Sequence, residues 1–157
     1  MMEVADWLQA LEQSVPAAAI RQSAWLYPFL EIVHITGIVL LVGPALMFDL
    51  RLLGFSKHLP IAGLGRHLLT WSVRGLWLVV PSGILLFITN AATLGYDPVF
   101  WAKMILLVLA AGNALLFRVF RPTGENGTGL PPVTKVIAVL SLVLWTAIIA
   151  CGRLLAY

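Results

Sequence analysis

The sequence contains few charged residues and almost no cysteine, and both scarcities restrict what the protein can be. Charged side chains make up 11% of the 157 residues, whereas hydrophobic residues make up 61%. A soluble domain carries about 25% charged residues, so a water-soluble globular fold is excluded. The single cysteine, Cys151, excludes an intramolecular disulfide and any CxxC metal or redox motif. We interpret it as a small packing residue.

The first residues, MMEVADWLQALEQS, lack the basic start and the apolar core of a secretory signal peptide. Their apolar side chains recur instead at i, i+4, i+7 and i+11, which is typical of an amphipathic helix. These residues are Val4, Leu8, Leu11 and Val15. We expect an interfacial amphipathic helix over 3–22 that lies flat on a membrane, with Pro16 starting a second short turn.

Four apolar stretches are long enough to cross a bilayer, which needs about 20 residues at a rise of about 1.5 Å each. They cover residues 25–53, 71–89, 99–120 and 133–156. The sequence therefore predicts an all-α fold, a membrane four-helix bundle with a short N-terminal interfacial helix, and a single integral membrane domain over 1–157. The lipid bilayer is its expected surrounding.

The basic residues are distributed unevenly between the two sides of the predicted bundle. Seven of the ten fall at or near the connections between spans one and two and between spans three and four. By the positive-inside rule this side is cytoplasmic, which places both termini on the outer side. The sequence has no stripe of Arg and Lys interleaved with exposed aromatic residues, so we expect no nucleic-acid partner.

Four ionisable side chains are predicted at one depth in the outer half of the bundle. Glu31 and His34 lie one helical turn apart in span one, Lys103 lies in span three, and Arg153 lies near the end of span four. An ionisable residue within a span costs about 2.5–3.5 kcal/mol on the insertion scale, so each must face a partner or a cavity. Two interpretations of this group are open.

The first interpretation is structural. Glu31 pairs with Arg153 or Lys103 and holds the helices in register, or Lys103 extends to the interface without a partner. His34 then donates a hydrogen bond to a neighbouring carbonyl. In this case the protein is a non-catalytic membrane subunit or a small metal or solute transport protein.

The second interpretation is a cofactor site built on His34. Imidazole is the commonest metal ligand and the commonest proximal ligand of haem iron. Gly37, at i+3, would let a flat macrocycle approach the helix, and Glu31 would orient the imidazole or relay a proton. Lys103 and Arg153 would bind the haem propionates or supply an acid near a quinone.

A second axial ligand is harder to find. His58 and His67 lie at the cytoplasmic side, away from His34, and are interpreted as solvated loop residues. Met104 or Lys103 would supply the second ligand from span three, or the iron would be five-coordinate.

A further polar set lies at the cytoplasmic end of the spans and is interpreted as structural. Asp49 and Arg51 end span one, Arg74 enters span two and Arg118 ends span three. Asp49 and Arg74 are expected to pair. Asn113, near the middle of span three, is expected to hydrogen-bond another helix.

Three stretches carry a resemblance to known membrane proteins: LEIVHITGIVLLVGPALMFDLRLLG, YDPVFWAKMILLVLAAGNALLF and GRLLAY. Together they resemble an uncharacterised family of small bacterial four-span membrane proteins, over most of residues 25–157. More distantly, His34 and Lys103 are similar to the pattern of the CopD membrane domain and of HemJ-type protoporphyrinogen oxidase. In the latter, a span-one His and a span-three Lys are associated with haem b. Phe117 stands where such sequences can carry a histidine.

The resemblance implies a bacterial membrane protein with a scaffold able to hold haem b, and it does not imply a reaction. Because His34, Gly37, Glu31, Lys103 and Arg153 are predicted at one depth, the leading hypothesis is a haem-dependent oxidoreductase of the inner membrane. We expect it to transfer electrons with quinone or a partner membrane oxidoreductase. An oxidase acting on porphyrinogen is a third hypothesis that depends on the distant resemblance alone. Small residues permit close helix approach within one chain or in a homo-oligomer; they are Gly37, Ala110, Ala111 and Gly112.

Overall fold

The structure is a computed structural model that describes residues 2–120 and 131–155, with side chains from Ala5 onward. Within these residues every regular element is an α-helix. The seven helices are α1 (Met2–Glu12), α2 (Val15–Gln22), α3 (Leu26–Leu53), α4 (Ile61–Thr89), α5 (Ala91–Tyr96), α6 (Pro98–Val119) and α7 (Pro132–Leu154). The predicted all-α fold is confirmed. The predicted end of span four at residue 156 and the side chain of Val4 lie outside the described part.

Four helices, α3, α4, α6 and α7, are long and apolar enough to cross a bilayer. Many of their large apolar side chains lie on the surface, and Val39, Val108 and Val143 are 63%, 72% and 60% exposed. Contact of such surface with water is unfavourable by about 25 cal/mol per Å², whereas hydrocarbon solvates it. The protein is therefore a multi-pass membrane protein.

The second span begins earlier than the hydropathy pattern predicts. α4 starts at Ile61 rather than at residue 71. Its first turns contain Gly65, where an added Cβ would lie 2.8 Å from Cε2 of Phe48. This glycine serves close packing of two helices, and a loop is not needed to explain it.

The N-terminal segment forms two helices. Ser14 is the extended N-cap residue of α2, and Pro16 lies in its first turn, where a missing amide proton does no harm. The second turn expected at Pro16 is therefore confirmed.

α1 packs on α5, which occupies the stretch between the second and third spans. Leu8 is buried, and a Cβ at Gly95 would lie 2.6 Å from its Cδ1. Oε2 of Glu12 accepts a hydrogen bond of 2.9 Å from the amide of Ala92. This stretch lies between the predicted spans, and the side chains of α1 contact it where it forms a short helix.

The chain divides into two compact units. Unit 1 comprises Met1–Leu41 and Val73–Pro98, and unit 2 comprises Val42–Ser72 and Val99–Tyr157. The boundaries fall within α3 and α4. The expectation of one membrane domain over 1–157 stays a prediction.

Unit 2 contains two clusters of buried apolar side chains. Phe48, Leu52, Ile61 and Ala138 form the first, and the rings of Phe48 and Phe117 meet edge to face at 5.4 Å. The second cluster joins α6 to α7 through Ala110, Leu144 and Ile148. Both clusters pack together the helices that carry the polar residues of unit 2.

Candidate functional site

In unit 1, His34 of α3 faces Ser82 of α4. Nδ1 of the imidazole lies 2.9 Å from Oγ of Ser82. The same Oγ lies 2.5 Å from the carbonyl oxygen of Leu78 and 3.3 Å from that of Val79, one turn earlier in α4. A serine that bonds back to its own helix in this way holds its hydroxyl in one direction.

The hydrogen bonds of Ser82 determine the tautomer of His34. A hydroxyl has one proton to donate and two lone pairs that accept. Carbonyl oxygens can only accept, so the Ser82 proton is directed at Leu78 and Val79. Ser82 therefore accepts from His34, and Nδ1 of the imidazole carries the proton. In the neutral ring, Nε2 then carries the lone pair, as a metal ligand or a proton acceptor requires.

Two glycines set the distance between α3 and α4 around His34. A Cβ at Gly83 would lie 3.1 Å from Cε1 of the imidazole, and a Cβ at Gly37 would lie 2.8 Å from Cγ2 of Val79. Gly75 approaches α3 even more closely, with its added Cβ 2.5 Å from the amide nitrogen of Leu41. The space beside Gly37, which was expected to admit a macrocycle, is filled by α4.

Glu31 lies on an exposed part of α3. Tyr27, one turn earlier, is close enough for its hydroxyl to interact electrostatically with the Glu31 carboxylate and to bond with Asn90. Glu31 was expected to orient the imidazole of His34, and the partner of Nδ1 in that ring is Ser82.

In unit 2, Lys103 of α6 is half-buried and directed at α7. A Cβ at Gly152 would lie 3.8 Å from the Lys103 ammonium nitrogen, and Cys151 is close enough to interact with it electrostatically. Gly152 thus leaves room for the lysine head, which the sequence analysis did not anticipate.

Two other predicted site residues, Met104 and Arg153, belong to unit 2. Met104 lines a shallow apolar groove on α6 together with Trp101, Ile105, Val108 and Leu109. Arg153 is exposed near the end of α7. His58 and His67, interpreted as solvated, are both exposed.

The residues at hand fit part of what a haem site needs. Within the described chain, no group of three or more His, Cys, Asp or Glu could hold a bare metal ion. The porphyrin of haem supplies four ligands to the iron, which needs as few as one from the protein. In the tautomer inferred from the bonds of Ser82, Nε2 of His34 carries the lone pair that such a ligand needs. Ser82 and Gly83 create this geometry, and neither residue was predicted as part of the site.

A family comparison covers most of the chain. Residues 22–157 match the sequence model of DUF6644, a family of unknown function, and the protein belongs to this family. No curated protein and no solved structure matches it significantly. The expected membership of an uncharacterised family is thereby supported, whereas the distant similarity to CopD and HemJ stays a prediction.

Proposed function

We propose that this DUF6644 member binds a b-type haem through Nε2 of His34 and transfers electrons with quinone or a partner oxidoreductase in the bacterial inner membrane. The observation that carries the proposal is the hydrogen bond from Nδ1 of His34 to Ser82. An axial histidine commonly donates its second ring proton to a fixed acceptor, which sets the tautomer and the ring orientation.

Each protein group has a defined part in this proposal. Ser82 holds the imidazole, and Gly83 leaves room for the edge of the ring. When bound, haem supplies one-electron chemistry that no side chain of the site provides. The sequence predicts the cations Lys103 and Arg153 at the depth of His34. In the proposal they would bind the haem propionates or the head group of a quinone. As the sequence predicts, Met104 or Lys103 would supply a second ligand, or the iron would keep His34 as its one ligand from the protein.

An absorption spectrum of the purified protein in detergent tests the proposal. We expect a Soret band in the wild-type protein, and its loss in His34→Ala. His67→Ala is the matched control, because His67 is exposed and its removal should leave the band unchanged. In Ser82→Ala we expect a weakened or shifted band, since the imidazole loses its fixed acceptor.

Two results would contradict the proposal. One is a protein that stays colourless after expression with added haem and still folds. The other is a Soret band of full intensity in His34→Ala. Complementation of a strain that lacks protoporphyrinogen oxidase tests the narrower hypothesis of an oxidase acting on porphyrinogen.

A second candidate function is that of a non-catalytic membrane subunit. It is favoured by the same hydrogen bond, because Ser82 already satisfies Nδ1 of His34 without a cofactor. In that case His34→Gln, whose amide can still donate to Ser82, should retain the stability and any partner binding of the wild-type protein.

A further inference from the structure

A separate polar cluster lies in unit 2, on the face of α7 that contacts α3 and α6. The hydroxyl of Ser141 in α7 lies close enough to the carboxyl group of Asp49 in α3 to donate a hydrogen bond to it. Nδ2 of Asn113 in α6 donates to the carbonyl oxygen of Ile137 in α7, at 3.1 Å. The bond predicted from Asn113 to another helix is thus confirmed.

Both bonds reach the same turn of α7. In an α-helix the carbonyl of residue i accepts the amide of residue i+4, so the oxygen of Ile137 lies beside the amide of Ser141. The side chains of Asp49 and Asn113 therefore arrive at one level, from two different helices. Thr134 lies on the same face, nearer the start of α7 than Ile137 by about 4.5 Å and nearer than Ser141 by about 10.5 Å of helical rise.

Three oxygen atoms of this cluster are buried without a hydrogen-bond partner among the described residues. They are Oδ2 of Asp49, Oδ1 of Asn113 and Oγ1 of Thr134. The three residues are only 7%, 5% and 0% exposed. Leaving a buried polar atom unsatisfied costs about 1–3 kcal/mol, so an occupant that offsets this cost is expected. Amide and carboxylate oxygens accept, which calls for a positively charged or proton-donating occupant.

The nearest cation on α3 is directed elsewhere. Arg51 donates through Nε to the carbonyl of Leu59, at 2.8 Å, and through Nη2 to that of Lys57, at 3.0 Å. Residues two apart on a helix do not face each other. Arg51 therefore stabilises the segment after α3, on a different side of the helix from Asp49.

We propose that Asp49, Asn113 and Ser141 form an intramembrane binding site for a monovalent cation, and that Thr134 lies one turn before Ile137 on the same face of α7. Oxygen donors of this kind suit hard cations, and one carboxylate balances one positive charge. Calcium, by contrast, takes 6–8 oxygen ligands, often from several carboxylates. This site belongs to unit 2 and does not depend on His34 or on haem.

Carbodiimide labelling tests the site with sodium as the probe. Dicyclohexylcarbodiimide modifies protonated carboxyl groups in apolar surroundings, and a bound cation displaces the proton and protects the group. We expect Asp49 in the purified full-length protein to be labelled in choline chloride. In sodium chloride of equal ionic strength, we expect the labelled fraction, measured by mass spectrometry of the peptide, to fall several-fold.

Thermal unfolding in detergent provides an independent measurement. Sodium should raise the midpoint of the wild-type protein relative to choline, because a ligand that binds the native state stabilises it. Asp49→Asn, which keeps the shape of the side chain, should abolish this rise. Asp6→Asn removes an exposed carboxylate of α1 and should leave it intact.

Two results would overturn the proposal. Labelling of Asp49 that is equal in sodium and choline would show that the carboxyl binds only a proton. No labelling in either salt, together with no effect of sodium on unfolding, would show an ionised carboxylate held by a protein cation, such as the predicted partner Arg74.

Discussion

At the scale of single residues, the hydroxyl of Ser82 fixes the orientation of the His34 imidazole. It is bonded back to its own helix and at the same time accepts from His34. Serine is common in membrane helices, where it satisfies its hydroxyl within its own helix. For that reason the sequence indicates the histidine, which is costly in a membrane, and gives no comparable signal for the serine that orients it.

Ser82→Ala should destabilise the protein by about 1–3 kcal/mol, because Nδ1 of the half-buried His34 then loses its acceptor. Thr146→Ala is the matched control. Thr146 bonds back to Leu142 in the same way, at 2.8 Å, but it is exposed and orients no other side chain, so its loss should be nearly neutral. The check is the free energy of unfolding in detergent. Equal effects of the two substitutions would contradict the role of Ser82.

At the scale of the helices, glycine positions decide how closely α3 and α4 approach. Gly37 of α3 faces α4, and Gly75 of α4 faces α3. A Cβ added at either glycine would lie within 3 Å of backbone atoms of the other helix. In membranes such contacts replace the hydrophobic effect as a source of helix association. The sequence predicts close approach at Gly37, but it does not say whether a helix or a cofactor makes it.

Gly37→Ala should destabilise the protein by about 1–3 kcal/mol through overpacking, since neither Val79 nor the α4 backbone can move freely. Gly43→Ala, in the same helix, is the matched control, because nothing lies within 4 Å of an added Cβ there. There the higher helix propensity of alanine should leave stability unchanged or raise it. Thermal unfolding of the two variants side by side is the measurement. Similar losses in both would show that the helix backbone, and not the contact, is sensitive.

The predicted and observed helices differ where a helix depends on contacts with residues distant in sequence, which the hydrophobic pattern does not report. Long apolar runs locate all four spans, because composition alone distinguishes hydrocarbon from water. The first turns of α4 were missed because glycine, Arg66 and His67 are typical of loops, although Phe48 makes Gly65 a packing position. α5 was missed because its contacts come from Leu8 and Glu12, more than 70 residues away in sequence.

At the scale of the whole molecule, charge and hydropathy together predict the orientation in the membrane. The segment between α3 and α4 contains Lys57, and the start of α4 contains Arg66. The connection between α2 and α3 carries no basic residue after Arg21. The positive-inside rule predicts that the α3–α4 connection is cytoplasmic and that the α2–α3 connection is periplasmic.

Single cysteines introduced into a Cys151→Ser background check this orientation. In intact cells, Ser23→Cys should react with a membrane-impermeant maleimide, whereas Lys57→Cys should react only after the membrane is permeabilised. Both residues lie outside the four spans, and Lys57 is exposed while Ser23 is half-exposed. The reverse pattern of labelling would invert the topology and place the His34 region on the cytoplasmic side.

The docking of α1 on α5 also bears on how the chain is made. Synthesis delivers α1 first, yet its binding surface at Ala91–Tyr96 leaves the ribosome only after two hydrophobic segments have followed it. Arg21 donates hydrogen bonds to the carbonyl oxygens of Thr89 and Glu12. Its bond to Thr89 likewise forms only after the second span has been synthesised. The N-terminal segment can therefore dock on α5 only after the first two spans have been synthesised. In a nascent chain arrested before residue 89, α1 would lack this binding partner.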